Sequence, residues 1–85
     1  MTPVRLPSQV REHQRIGATL RTLREDKGFT STEFASELGI SYAYLSNIEA
    51  GRKRLTPQLL ERAHKVLGVR KIAIIREGYY EDVAS

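Results

Sequence analysis

The side chains that could recognise another molecule gather between positions 42 and 54. Tyr42, Ala43, Ser46 and Asn47 recur at three and four residues, the spacing of one side of a helix. Leu45 and Ile48 take the opposite side. If these two aliphatic residues hold the segment down, the other four must point away from the core. They present a phenol, a methyl, a hydroxyl and a carboxamide, groups that hydrogen bond or make apolar contact without carrying charge. A short helix so exposed fits a DNA major groove, about 12 Å wide. Acids on that side would favour a protein-interaction module instead, and none stands at 42, 43, 46 or 47. Gly51 closes the segment, and Arg52-Lys53-Arg54 follows at once.

The wider charge pattern agrees with a polyanionic partner without requiring one. Fourteen Lys and Arg stand against ten Asp and Glu, a net charge of +4. Positive charge flanks the centre of the chain: seven bases and one acid lie between Arg52 and Lys71, while Phe29 to Ala50 carries acids alone. The bland reading of such a cluster is a solvated helix face. Other chemistry is poorly served. There is no cysteine, and two isolated histidines, His13 and His64, make no metal site. No glycine-rich phosphate loop or nucleophile-elbow pattern occurs. The expectation is therefore no catalysis, no cofactor and no metal. No apolar run reaches membrane-spanning length, and the polar, basic N-terminus lacks a signal-peptide core, so a cytoplasmic protein is expected.

The elements that must position these residues are short. Eighty-five residues, 40% of them hydrophobic, supply one core. Glycines at 28, 39, 51 and 68 each follow a stretch of helical periodicity and read as helix ends. The first helix is expected after Ser8, a cap candidate, and runs to about Lys27 with Val10, Ile16, Leu20 and Leu23 on one face. Gly17 inside it would let another helix come close. Thr30 with Glu33 three residues later is a capping box. Ser41 caps the next helix, and Thr56 with Pro57 opens a fourth, to about Leu67. Lys71–Arg76 has β-branched residues in partial alternation. It reads as a strand, folded by a turn at Glu77-Gly78 against 79–83, although a helix with Ile72, Ile75 and Tyr79 on one side also fits. Pro3 and Pro7 make residues 1–8 an extended basic arm, leaving 9–69 as the domain and 70–85 as a C-terminal extension.

Together these fragments resemble a known family. Leu20-Arg21-Thr22-Leu23-Arg24, Lys27-Gly28-Phe29-Thr30, Glu33-Phe34-Ala35, Leu38-Gly39-Ile40-Ser41 and Tyr44-Leu45-Ser46-Asn47-Ile48-Glu49-Ala50-Gly51 are similar to the Xre/Cro-type helix-turn-helix family, the lambda-repressor-like domains. Thr56, Leu59, Leu60 and Leu67-Gly68-Val69 continue the match, which covers about 16–69. The resemblance implies an all-α domain of four or five helices that binds double-stranded operator DNA, usually as a dimer on paired half-sites.

The resemblance also implies roles. Tyr42, Ala43, Ser46 and Asn47 would read bases, Asn47 by pairing bidentately with adenine. Ser31, at the start of the second helix, would bind phosphate. Gln is common there, and a serine hydroxyl reaches less far. Arg52, Lys53 and Arg54 would lie along the DNA backbone, setting affinity rather than sequence. Arg24 and Glu49 take the positions of a partly buried structural ion pair. The function expected is a sequence-specific transcriptional regulator, a small Cro-like repressor acting by occupancy. The alternative is an antitoxin whose apolar tail, Ile72 to Val83, holds a protein partner while the domain binds DNA.

Overall fold

Five α-helices follow one another in the computed structural model, which describes residues 8–76: α1 (Ser8–Asp26), α2 (Ser31–Leu38), α3 (Tyr42–Glu49), α4 (Pro57–Leu67) and α5 (Lys71–Ile75). Local chemistry sets their starts. The Thr30 hydroxyl accepts from the Glu33 amide at 3.1 Å, and the Glu33 carboxylate accepts from the Thr30 amide at 3.0 Å. That backbone N–H, with help from the hydroxyl, holds the Glu33 carboxyl below its ordinary value. Ser41 caps α3 through the Tyr44 amide, and Thr56 caps α4 through the Leu59 amide, with Pro57 first in the helix. Ser8 does not precede α1 as a cap but is its first described helical residue, and its hydroxyl accepts from Arg11.

The ends of α1 to α4 share one construction. A glycine with left-handed φ donates to the carbonyl three residues back, and the residue after it donates to the carbonyl five back. The pairs are Gly28 with Phe29, Gly39 with Ile40, Gly51 with Arg52 and Gly68 with Val69. The chain thus turns sharply four times, and short helices stack around one centre.

That centre is built from Leu20 and Leu23 of α1, Phe34, Ala35 and Leu38 of α2, Leu45 and Ile48 of α3, Leu59, Ala63 and Leu67 of α4, and Val69, Ala73 and Ile74 beyond it. Eight-residue helices such as α2 and α3 are marginal alone, so this burial is what keeps them folded. Gly17 meets its expectation of close approach: a Cβ there would fall on the Ile48 carbonyl oxygen and lie 2.8 Å from that of Glu49. α1 therefore runs backbone against backbone over the last turn of α3.

The strand expected over 71–76 does not form. Residues 71–75 are the helix α5, and Ala73 and Ile74 are both buried against α1 and α4. Alternation would turn these neighbours to opposite sides; a helical turn lets both face the core. Arg15 of α1 seals the end by donating to the Ile75 carbonyl at 2.6 Å. The second arm of the expected hairpin, 79–83, and the arm at 1–7 lie outside the described residues.

Candidate nucleic-acid interface

Leu45 and Ile48 pin α3 from beneath, at 0% and 1% exposure. Full burial of such side chains contributes about 1.5–3 kcal/mol each relative to exposure. The opposite side is open. Tyr42 is 59% exposed, Ala43 and Ser46 are exposed, and Asn47 is half-buried. Tyr44 turns sideways and packs against the core.

The basic run after α3 does not hang free. The Arg52 and Lys53 amides both donate to the Asn47 carbonyl, at 2.8 and 3.2 Å. The Arg52 guanidinium also donates to the Asn47 side-chain oxygen at 3.2 Å. The Lys53 ammonium sits 5.5 Å from the centre of the Tyr44 ring, a cation–π distance. Arg54 is exposed. The structure thus brings Asn47 together with Arg52, and Tyr44 with Lys53. Ser31 is placed separately, half-buried as the first residue of α2.

Arg24 and Glu49 lock the back of this surface. Arg24 Nε donates to Glu49 Oε2 at 2.8 Å and Nη2 to Oε1 at 3.2 Å. Their side chains are 7% and 9% exposed. Nη1 also donates to the Phe29 carbonyl at 2.8 Å, so one guanidinium ties α1, the α1–α2 turn and the end of α3. The Glu49 carboxylate beside it raises the Arg24 pKa above its ordinary value.

Several contacts had no sequence signal strong enough to find them. Arg62 donates to the Leu38 carbonyl at the end of α2. Glu61 accepts from Lys71, Lys65 and His64, which joins α4 to α5. Lys71 first, then Lys65 and His64, lower its pKa to about 2. The Arg52–Asn47 contact had a local signal: glycine at 51 returns residue 52 over residue 47 whenever a helix ends in this way. Among the described residues no three His, Asp or Glu converge as a metal site, and no helix is long and apolar enough to cross a membrane.

Known proteins are similar in sequence and in fold. Residues 15–72 match the model of the helix-turn-helix domain family. The ImmF control region 10 kDa protein of Bacillus phage phi105 is 33% identical over 78 residues, which is 84% of this chain and 87% of the phage protein. The clp gene regulator ClgR of Corynebacterium glutamicum superposes with a TM-score of 0.72 at 31% identity, covering 92% of this chain and 88% of the other. The N-terminal DNA binding domain of SinR from Bacillus subtilis gives 0.71 at 31% identity, covering 79% and 99%. The chain belongs to the helix-turn-helix domain family, as the Xre/Cro-type motifs of its sequence imply.

Proposed function

We propose that this chain, a helix-turn-helix DNA-binding regulator, represses transcription by laying α3 in the major groove of an operator. The carrying observation is the division of α3. Leu45 and Ile48 are spent on the core, while Tyr42, Ala43, Ser46 and Asn47 form an uncharged outward side with exposed cations directly after it. Tyr42, Ala43, Ser46 and Asn47 contact base edges. Arg52, Lys53 and Arg54 meet the phosphate backbone beside them, and Ser31 offers a hydroxyl and the amino end of α2 to a phosphate. The control-region name of the phage relative and the DNA-binding domain of SinR support this reading. A symmetric dimer would place two such helices about 34 Å apart, one turn of DNA.

The antitoxin reading finds no support. Ala73 and Ile74, at the start of the tail invoked for a partner, are buried in the domain's own core.

Selection of bound duplexes from a random pool tests the proposal. It should return one motif, paired if the protein dimerises. Arg54→Ala should then weaken binding to every duplex and reduce the salt slope by about one unit. Retention of all duplexes equally would refute base reading, and an unchanged slope would remove Arg54 from the backbone contacts.

A further inference from the structure

We propose that Arg52, beyond the phosphate-backbone contact given to it above, positions Asn47, and that the pair so held selects guanine in the groove. The inference rests on the groove reading above and assigns its specificity.

The end of α3 departs from the other helix ends. Where a helix closes on a left-handed glycine, the residue after the glycine commonly makes an apolar contact with the helix's last turn. Three of the four ends follow this pattern, with Phe29, Ile40 and Val69 in that place, each packed against or within the core. At α3 the residue is Arg52, exposed, and its partner is a polar side chain on the outward surface. The backbone enforces the pairing, since the Arg52 and Lys53 amides both close on the Asn47 carbonyl. The guanidinium therefore starts from a fixed Cα beside the carboxamide.

Arginine has donors and no acceptor. The Asn47 atom facing Arg52 must then be the oxygen, and the amide cannot be flipped while the contact holds. Its free edge is the Nδ2 amino group. The guanidinium that holds the oxygen carries further N–H groups of its own. One of the two lone pairs of the oxygen is taken, so the pair offers mostly donors where an unconstrained asparagine offers a donor and an acceptor in balance. In the major groove guanine presents two acceptors, O6 and N7, whereas adenine sets an N6 donor beside N7. A surface of donors meets guanine well and meets the adenine amino group with another donor. The bidentate adenine contact expected from the sequence would have to use the second lone pair of an oxygen already held by the Arg52 guanidinium, with a positive donor beside the adenine amino group.

The test uses the full chain and a randomised duplex pool, with wild type, Asn47→Ala, Asn47→Asp and Arg52→Lys selected in parallel. Asn47→Ala identifies the base position read by residue 47. Wild type should carry guanine there, preferred by roughly 5- to 150-fold, the worth of a good side-chain–base pair. Arg52→Lys keeps the charge but not the fork. It should lose the preference at that same position while retaining the other positions and the salt slope. Asn47→Asp keeps an oxygen for Arg52 and removes the amino donor, so it too should lose guanine. Arg52 is exposed and Asn47 half-buried, and circular dichroism melting checks that each variant is folded. Adenine at that position in wild type would overturn the inference and leave the groove reading intact. So would an Arg52→Lys variant that binds all duplexes more weakly with the preference unchanged. If wild type enriches no duplex, the groove reading falls and takes this inference with it.

Discussion

Replacing Gly17 with alanine sets two effects against each other, and the structure decides the sign. Gly17 lies in the middle of α1, so helix propensity alone predicts a gain of about 1 kcal/mol for alanine. The added Cβ, however, would fall on the Ile48 carbonyl oxygen, 2.8 Å from the Glu49 oxygen and 3.0 Å from the Glu49 carbonyl carbon. These are backbone atoms in the last turn of α3, and no side chain can rotate to make room. Overpacking of a tight core costs about 1–3 kcal/mol, and more where the neighbours cannot yield. Relief by moving α3 away from α1 would stretch the Arg24–Glu49 pair, which bridges the same two helices. With backbone atoms as the obstacle the cost falls toward the upper end of that range, about 2–3 kcal/mol, so the clash should win, leaving a net loss of about 1–2 kcal/mol. For a domain of this size that lowers Tm by roughly 4–16 °C. Thermal denaturation followed by circular dichroism measures it. Ala18→Gly, at the exposed neighbouring position, serves as the control and should cost about 0.5–1 kcal/mol, as an open helix site does. A Gly17→Ala protein that melts at or above wild type would show that α1 and α3 are not in backbone contact.

Three further outcomes follow from the same geometry. Glu49→Ala should destabilise by about 3–5 kcal/mol by stranding the Arg24 charge, while Arg24→Met with Glu49→Leu should cost far less than the two single changes summed; additive losses in urea denaturation would contradict a coupled pair. Asn47→Ala should weaken binding to the selected duplex by about 1–3 kcal/mol and binding to random DNA little, and equal losses on both would remove Asn47 from the base contacts. The Glu61 pKa is lower in the folded chain than its ordinary value of 4.5, so its contribution is complete above that value and is lost as pH falls toward about 2. Over that window the Glu61→Gln variant should show a shallower fall in Tm than wild type, and parallel curves would show that the cluster adds nothing.

The start of each short helix was legible because its cause is local. A hydroxyl at 30, 41 or 56 acts on an amide three residues away, and glycine at a helix end acts on its own backbone. The outward face of α3 was legible for a related reason, since two aliphatic residues at helical spacing dictate where the other four point. α5 was not. Its β-branched residues favour a strand locally, but a strand needs a partner to take its hydrogen bonds, and α1 and α4 instead offer an apolar bed for Ala73 and Ile74. That bed is assembled from residues far away in the chain. The ties made by Arg15 and Arg62 were hidden likewise, because an arginine that closes a distant helix end looks in sequence like any surface cation. The Arg52–Asn47 contact lay between these cases: the turn that returns one residue over the other was readable, while the chemical use made of it needed coordinates.

The pinning of α3 from one side has a consequence for how such proteins diverge. The letters at 42, 43 and 46 bear little of the weight that keeps the helix in place, so they are free to drift without unfolding the protein, and under the groove reading proposed above such drift would re-address it to new genomic sites. Position 47 is tethered to its neighbour across the turn, and a lineage that changes one should be expected to change the other.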